Sequence, residues 1–310
     1  MSNKLSVIQV GDLHKRFGQV RALDGFNLEV APGIFGLIGP NGSGKTTLLR
    51  TFLGLIGPDQ GTASILGLDI RKESLGIRKR VGVLHERPAY PKSMTVRRYL
   101  TRVGKLYATF REPDELLASV GLSDMNDRNI GTLSAGLRQR LGIAQALIGN
   151  PELVFLDEPT TNLDVTGRDE VIRLIVALHQ ELGVSFFISS HILSELERAC
   201  HGVAFIRSGR VVEKGDVLKI VEKYTKLRFK IITSDSKALY DSLKDMSGFS
   251  EAFVSGANTV SVAIEEGMLE TVKAGVAKIA KSHGFKVYAF EQAGTLEDAY
   301  KGVMRIDEQG

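Results

Sequence analysis

Residues 39–47 read GPNGSGKTT, between the apolar run Ile34-Phe35-Gly36-Leu37-Ile38 and an apolar helix start at Leu48-Leu49. Gly39, Gly42 and Gly44 let the backbone curl so that successive N–H groups face phosphate oxygens. Pro40, Asn41, Ser43 and Thr47 complete the loop, and the helix that follows adds the positive end of its dipole. Lys45 is placed to reach the β and γ phosphates, and the Thr46 hydroxyl to ligate a Mg²⁺ that bridges them. The pattern predicts a P-loop that binds a nucleoside triphosphate. A plain glycine-rich turn is the alternative, but it requires neither the lysine nor the hydroxyl.

A second constellation is Leu153-Val154-Phe155-Leu156-Asp157-Glu158-Pro159. A buried strand ending in paired acids puts Asp157 at the carboxyl edge of a sheet, where α/β proteins bind ligands and where it can support Mg²⁺ through water. Glu158 is then free to polarise a water for in-line attack on the γ-phosphate. The alternative is a pair of capping acids ahead of Pro159.

These groups need a frame. The runs Leu153-Val154-Phe155-Leu156 and Ser185-Phe186-Phe187-Ile188 read as strands buried on both faces of a parallel sheet. Residues 8–30 alternate in short runs with turn signals at Phe17-Gly18 and Asp24-Gly25, which predicts short strands. Residues 75–148 turn helical, with Val96, Leu100, Val103, Leu106 and Tyr107, then Leu116, Leu117 and Val120, at helical spacing. That region reads as a helical insertion in an α/β frame.

With 310 residues, 43% hydrophobic and 25% charged, the chain has the length of about two soluble globular domains. It shows neither a leader pattern nor an apolar run long enough to span a bilayer, so a membrane role is expected to come through a partner. The one cysteine, Cys200, reads as a small core residue of a protein kept in a reducing compartment. A net charge of +4 spread among 36 acidic residues carries little weight. The basic stretches Arg78-Lys79-Arg80 and Arg97-Arg98 lack interleaved aromatics, so they read as solvated helix faces and no nucleic-acid partner is expected.

The segment Leu133-Ser134-Ala135-Gly136-Leu137-Arg138-Gln139-Arg140 lies between the P-loop and the paired acids. Taken alone it is a helix capped by Ser134, with Leu137, Leu141 and Ala144 as its buried stripe. In this position it resembles the LSGGQ signature of ATP-binding cassette (ABC) proteins. The resemblance covers roughly the first 220 residues. It extends to Thr161-Asn162-Leu163-Asp164, similar to a D-loop, to Ser190-His191, which holds the family's γ-phosphate-sensing histidine, and to Phe17, at the place of the aromatic that stacks on adenine. Phe17 as core and His191 as a structural histidine are the simpler readings. Two residues depart from the pattern: Ala135 replaces the first signature glycine, which a helical backbone tolerates. Glu86 replaces the Q-loop glutamine, keeping an oxygen for the metal shell but losing an amide donor and adding negative charge near Asp157 and Glu158.

The resemblance implies that the chain binds ATP and Mg²⁺, with Thr46, Glu86 and Asp157 around the metal. It implies head-to-tail pairing, homodimeric or with a paralogue, in which Ser134 to Gly136 and Asp164 of one cassette close over the ATP held by the other. It also implies that residues near Glu86 to Tyr99 receive a short helix of a transmembrane permease on a separate chain, holding this one at the inner face of the membrane. Alternatives are a soluble ABC ATPase acting on ribosomes or DNA, which usually carries two cassettes or a long coiled coil, and a regulatory switch, which would lack Glu158 or His191.

Beyond Lys223 the pattern changes. Strands at 227–232, 249–254, 260–264 and 285–290, with helices at 237–246 and 268–282, predict a split βαβ, ferredoxin-like unit. A last helix at 295–303 contains Leu296-Glu297-Asp298-Ala299-Tyr300, similar to the ending of cassette subunits in the drug and ion exporter branch, which implies export. The expected fold is α/β. A P-loop NTPase cassette at 1–222 combines a mixed sheet core with an antiparallel β subdomain and a helical subdomain at 87–150, and a small α+β regulatory or dimer-supporting domain follows at 223–310.

Overall fold

The computed structural model describes residues 6–307 apart from Lys226, Asp245 and Glu266. Residues 1–5 and 308–310, inside the two expected domains, and Asp245, inside the helix expected at 237–246, lie outside the described residues. The chain runs β1 (Ile8–Phe17), β2 (Val20–Val30), β3 (Ile34–Ile38), α1 (Lys45–Phe52), β4 (Gln60–Ile65), β5 (Leu68–Asp69), α2 (Ser74–Arg80) and β6 (Val81–Leu84). Next come α3 (Val96–Gly104), α4 (Pro113–Ser119), α5 (Ala135–Leu147), β7 (Leu153–Asp157), α6 (Val165–Leu182), β8 (Ser185–Ser190), α7 (Leu193–Ala199), β9 (Gly202–Arg207) and β10 (Arg210–Asp216). The rest is α8 (Val217–Thr225), β11 (Arg228–Thr233), α9 (Ser236–Leu243), β12 (Phe249–Gly256), β13 (Thr259–Ile264), α10 (Leu269–His283), β14 (Val287–Gln292) and α11 (Leu296–Asp307).

The chain divides into two compact units, Met1–Val217 and Leu218–Gly310, a few residues before the boundary expected at 222/223. In the first, a six-stranded sheet has the order β10-β9-β3-β8-β7-β6, parallel except for the antiparallel β10. A four-stranded antiparallel sheet has the order β2-β1-β4-β5. Helix α1 packs against β2 and β4 of the small sheet and β7 of the large one. Its Phe52 ring lies 6.0 Å from Phe155 and 6.1 Å from Phe187, so one apolar core, which also includes Leu13 and Phe26, serves both sheets.

The parallel register decides where the loops emerge. Ile38 of β3 pairs with Ser190 of β8, and Ser189 of β8 pairs with Asp157 of β7. These three strands end level, so the loops that follow them leave at one carboxyl edge.

The second unit has its own core, with Phe229, Ile231, Val260 and Val262 of the sheet packed on Leu239 and Leu243 of α9 and Val272 and Val276 of α10. Its strand order is β12-β13-β11-β14, with antiparallel pairing at every junction.

Three local expectations are corrected. The helical stretch at 75–148 is interrupted by β6, a largely buried four-residue strand whose apolar run is too short for its period to be told from a helical turn. The N-terminal strands are not short, at 10 and 11 residues. Asp24-Gly25 is no turn: it lies inside β2, with Gly25 at φ 72°, where the pairing with β1 shifts register. A positive φ inside a ladder makes a bulge from the same residues that make a turn.

Gly82 in β6 is fixed by close approach rather than by conformation. A Cβ there would lie 1.9 Å from the carbonyl oxygen of Ala146 on α5. Gly82→Ala should therefore destabilise the fold by at least about 1–3 kcal/mol through overpacking, read as a lower denaturant midpoint. An unchanged midpoint would contradict this packing.

Candidate functional site

The loop after β3 curls with Gly42 at φ 80° and Gly44 at φ 111°, both left-handed. A side chain at Gly44 would also meet the Ala22 carbonyl at 2.4 Å, and one at Gly39 the Ile206 carbonyl at 2.4 Å. The Lys45 ammonium folds back over the loop, donating to the carbonyls of Gly39 at 2.7 Å and Pro40 at 3.2 Å, and stands 3.4 Å from Oε1 of Glu158. Ser43 is buried, and its Oγ has no hydrogen-bond partner among the described residues.

At the neighbouring strand ends, Ser189 Oγ donates to Oδ1 of Asp157 at 2.5 Å, and Thr46 Oγ1 donates to Oδ2 at 3.2 Å. One carboxylate thus holds the start of α1 and the end of β8 together. Glu158 is in left-handed backbone at φ 51°, which costs a residue with a side chain about 1–3 kcal/mol unless its surroundings enforce it. Its amide donates to the Ser189 carbonyl at 3.0 Å and approaches Ser189 Oγ at 3.2 Å. The turn aims the Glu158 carboxylate across the cleft, where Oε2 lies 2.8 Å from Nδ1 of His191. A carboxylate only accepts, so this bond puts the proton on Nδ1 and leaves Nε2 as the free ring nitrogen.

Gly44, Lys45, Thr46, Glu158 and His191 line a cleft of about 670 Å³ that also holds Phe17, Asn41, Gly42, Thr47 and Glu86. Phe17 is 48% exposed at the end of β1, with the Lys15 ammonium 5.4 Å from its ring centroid, so it is an open platform rather than core. Cys200 is buried, and burial pushes its thiol well above the usual range, in keeping with an inert core position.

The remaining expected residues stand outside the cleft. Ser134 caps α5, its Oγ accepting from the Leu137 amide at 3.3 Å, and Ser134 and Ala135 are exposed. The space beside Gly136 is open. Asp164 caps α6 by accepting from the Gly167 amide at 2.9 Å and is likewise exposed. None of these four lines the cleft that holds Lys45 and Glu158.

Among the described residues no group of three or more His, Cys, Asp or Glu is arranged to hold a metal. The hydroxyl of Thr46 beside the carboxylate of Asp157 is nevertheless a hard-oxygen pair that fits Mg²⁺, which takes one or two protein oxygens and completes its shell with phosphates and water. Glu86 lines the same cleft, with its carboxylate 3.5 Å from Nε of Arg87. Among the described residues it makes no hydrogen bond to Thr46 or Asp157.

Sequence reasoning missed Ser189, which braces both acids; two serines ending a strand buried along its whole length were the available signal. It also missed Val20 and Arg87, which line the cleft.

The fold and this cleft define a P-loop cassette ATPase. Residues 23–161 match the family described as ABC transporter. The chain is 40% identical over 212 residues to the bacitracin transport ATP-binding protein BcrA of Bacillus licheniformis, a match that covers 67% of this chain and 69% of that protein. It is 36% identical over 214 residues to the daunorubicin/doxorubicin resistance ATP-binding protein DrrA of Streptomyces peucetius, covering 67% of this chain and 64% of that one. Among solved structures it resembles cbiO1 from Clostridium perfringens, part of an ABC transporter complex, with TM-score 0.63 and 27% identity over 68% of this chain and 88% of that one. The chain belongs to the ATP-binding subunits of ABC transporters, which are ATPases.

The bracing role of Ser189 is open to test. Ser189→Ala leaves a buried carboxylate oxygen of Asp157 without its donor, and should lower the unfolding free energy by about 1–3 kcal/mol. Denaturant unfolding of Ser189→Ala and Ser189→Thr checks this, the threonine retaining most of the stability. Equal stability of wild type and alanine variant would show that the bond does not brace the acids.

Proposed function

We propose that this chain drives export through a membrane permease carried on a separate chain, working as a homodimer that closes head to tail over two ATP molecules. The observation that carries the reading is the division of the site. The phosphate loop, Glu158 and His191 share one cleft, whereas Ser134, Ala135, Gly136 and Asp164 are presented away from it. Exposed N–H groups at the start of α5 suit the γ-phosphate of an ATP held by another cassette. The names of the relatives, bacitracin transport and daunorubicin/doxorubicin resistance, support export. Among the described residues no helix is long and apolar enough to cross a membrane, which agrees with a permease on another chain.

In this reading the loop amides and Lys45 bind the β and γ phosphates, and Phe17 stacks on adenine. When bound beside Thr46 and Asp157, Mg²⁺ would neutralise charge on the β and γ phosphates. The triphosphate competes for the Lys45 ammonium, which otherwise stands beside Glu158, and leaves that carboxylate to face water. Glu158 takes the proton of the attacking water, and His191 orients the carboxylate through its Nδ1 proton. Hydrolysis removes the γ-phosphate that joins the two chains, and the pair opens.

The second unit is assigned as a ferredoxin-like, dimer-supporting domain. Its β-α-β-β-α-β order with strands arranged β12-β13-β11-β14 supports this. The exposed face at 86–99, with Arg87 and Arg98, is assigned to the permease.

Glu158→Gln should keep ATP affinity, lower hydrolysis by about 10²–10⁴-fold and accumulate an ATP-bound dimer in size-exclusion chromatography. Wild-type turnover by this variant would remove Glu158 as the base. Co-purification from detergent-solubilised membranes should recover a polytopic partner with the full chain and lose most of it with Arg98→Glu. A chain ending at Val217 should lose ATP-dependent dimerisation. Full retention by either variant would withdraw the corresponding assignment.

A further inference from the structure

Glu195, the third residue of α7, is 2% exposed and has no part in the cycle described above. Its Oε2 accepts a hydrogen bond of 2.6 Å from Thr160 Oγ1, and its Oε1 has no hydrogen-bond partner among the described residues. Burial pushes its carboxyl above the ordinary glutamate range, and the Thr160 hydroxyl and the charges of Arg168 and Arg198 only partly offset this. A half-satisfied buried carboxylate costs stability that an apolar residue would not. The cost points to a task that an apolar residue could not perform.

The two ends of this bond suggest the task. Thr160 lies two residues beyond Glu158, and α7 starts two residues beyond His191. The bond therefore ties the segment that carries the carboxylate to the helix that follows the histidine. The backbone it restrains is left-handed at both ends, at Asn162 with φ 66°, which asparagine tolerates, and at Glu158 with φ 51°, which a glutamate disfavours. The Glu158 conformation persists only where neighbouring contacts enforce it. Upstream, the enforcement comes from Ser189, which receives the Glu158 amide. Downstream, Thr161 donates to the Glu158 carbonyl at 3.2 Å, and the buried side-chain anchor is the bond from Thr160 to Glu195.

We infer that Glu195 is a positioning residue for hydrolysis: its buried bond to Thr160 clamps α7 to the turn after β7 and so holds Glu158 within 2.8 Å of His191. The inference rests on Glu158 being the base. Neither Glu195 nor Thr160 lines the nucleotide cleft, so the clamp acts on the chemical step and not on ATP affinity. Thr160 needs only an acceptor opposite it, which a glutamine supplies and an alanine does not.

The test measures steady-state ATPase kinetics and equilibrium ATP affinity of the full chain, at a temperature where thermal melting shows every variant folded. Glu195→Ala and Thr160→Val should each lower kcat by about tenfold or more, with KM and ATP affinity within about twofold of wild type. Glu195→Gln and Thr160→Ser should stay within about twofold of the wild-type kcat. The double variant Glu195→Ala/Thr160→Val should be no slower than the slower single one, because both remove the same bond. Wild-type kcat in both Glu195→Ala and Thr160→Val, beside an inactive Glu158→Gln, would overturn this inference alone. So would a loss of ATP affinity that accounts for the loss of rate, or a Glu195→Gln variant that is folded and as slow as the alanine. Wild-type hydrolysis by Glu158→Gln would instead remove the reading on which the inference rests.

Discussion

Asp157 and Ser189 face each other across two parallel strands, and the bond between their side chains joins what sequence distance separates. Because β3, β7 and β8 end level, the phosphate loop, the paired acids and the histidine leave the sheet at one edge without any long loop to carry them there. The same carboxylate also accepts from Thr46 at the start of α1, so the helix aimed at the phosphates is set in register with the strand that carries the acids. Loss of that register would leave each motif intact in sequence and scattered in space.

The site is held under tension rather than at rest. Glu158 takes a left-handed backbone that its side chain disfavours, and the reward is a carboxylate turned toward Lys45 on one side and His191 on the other. The contacts that enforce this come from β8 and α7, neither of which touches the phosphate loop directly through these bonds. Strain of this kind is stable only in a rigid frame, and the rings of Phe52 on α1, Phe155 on β7 and Phe187 on β8 pack together in the elements that carry the site.

Much of the site was legible in the sequence because the chemistry of phosphate binding restricts residue type at each step. Left-handed turns and close approaches at Gly39, Gly42 and Gly44 exclude side chains, and only a lysine at position 45 supplies a reaching ammonium. The exposure of Phe17 excludes the core reading that its position alone left open, since an aromatic at a strand end serves equally well as core. What escaped was long-range or short-lived in pattern. Ser189 and Glu195 act on residues more than thirty positions away, and nothing local distinguishes them from other polar residues. Strand β6 was hidden within a helical stretch because four residues, three of them buried, carry no readable period. The bulge at Asp24-Gly25 used the residues of a turn without reversing the chain. The role proposed for Ser134, Ala135 and Gly136 comes from family resemblance, because a capped helix start shows no chemistry of its own within one chain.

That last point makes the dependence on a second chain the central claim. The most direct measurement is ATPase rate per chain as a function of protein concentration, followed alongside sedimentation of the same samples with ATP. Two half-sites predict a specific rate that falls toward zero as the protein is diluted into monomers and recovers as the dimer forms. A specific rate that stays constant where sedimentation finds only monomers would contradict it.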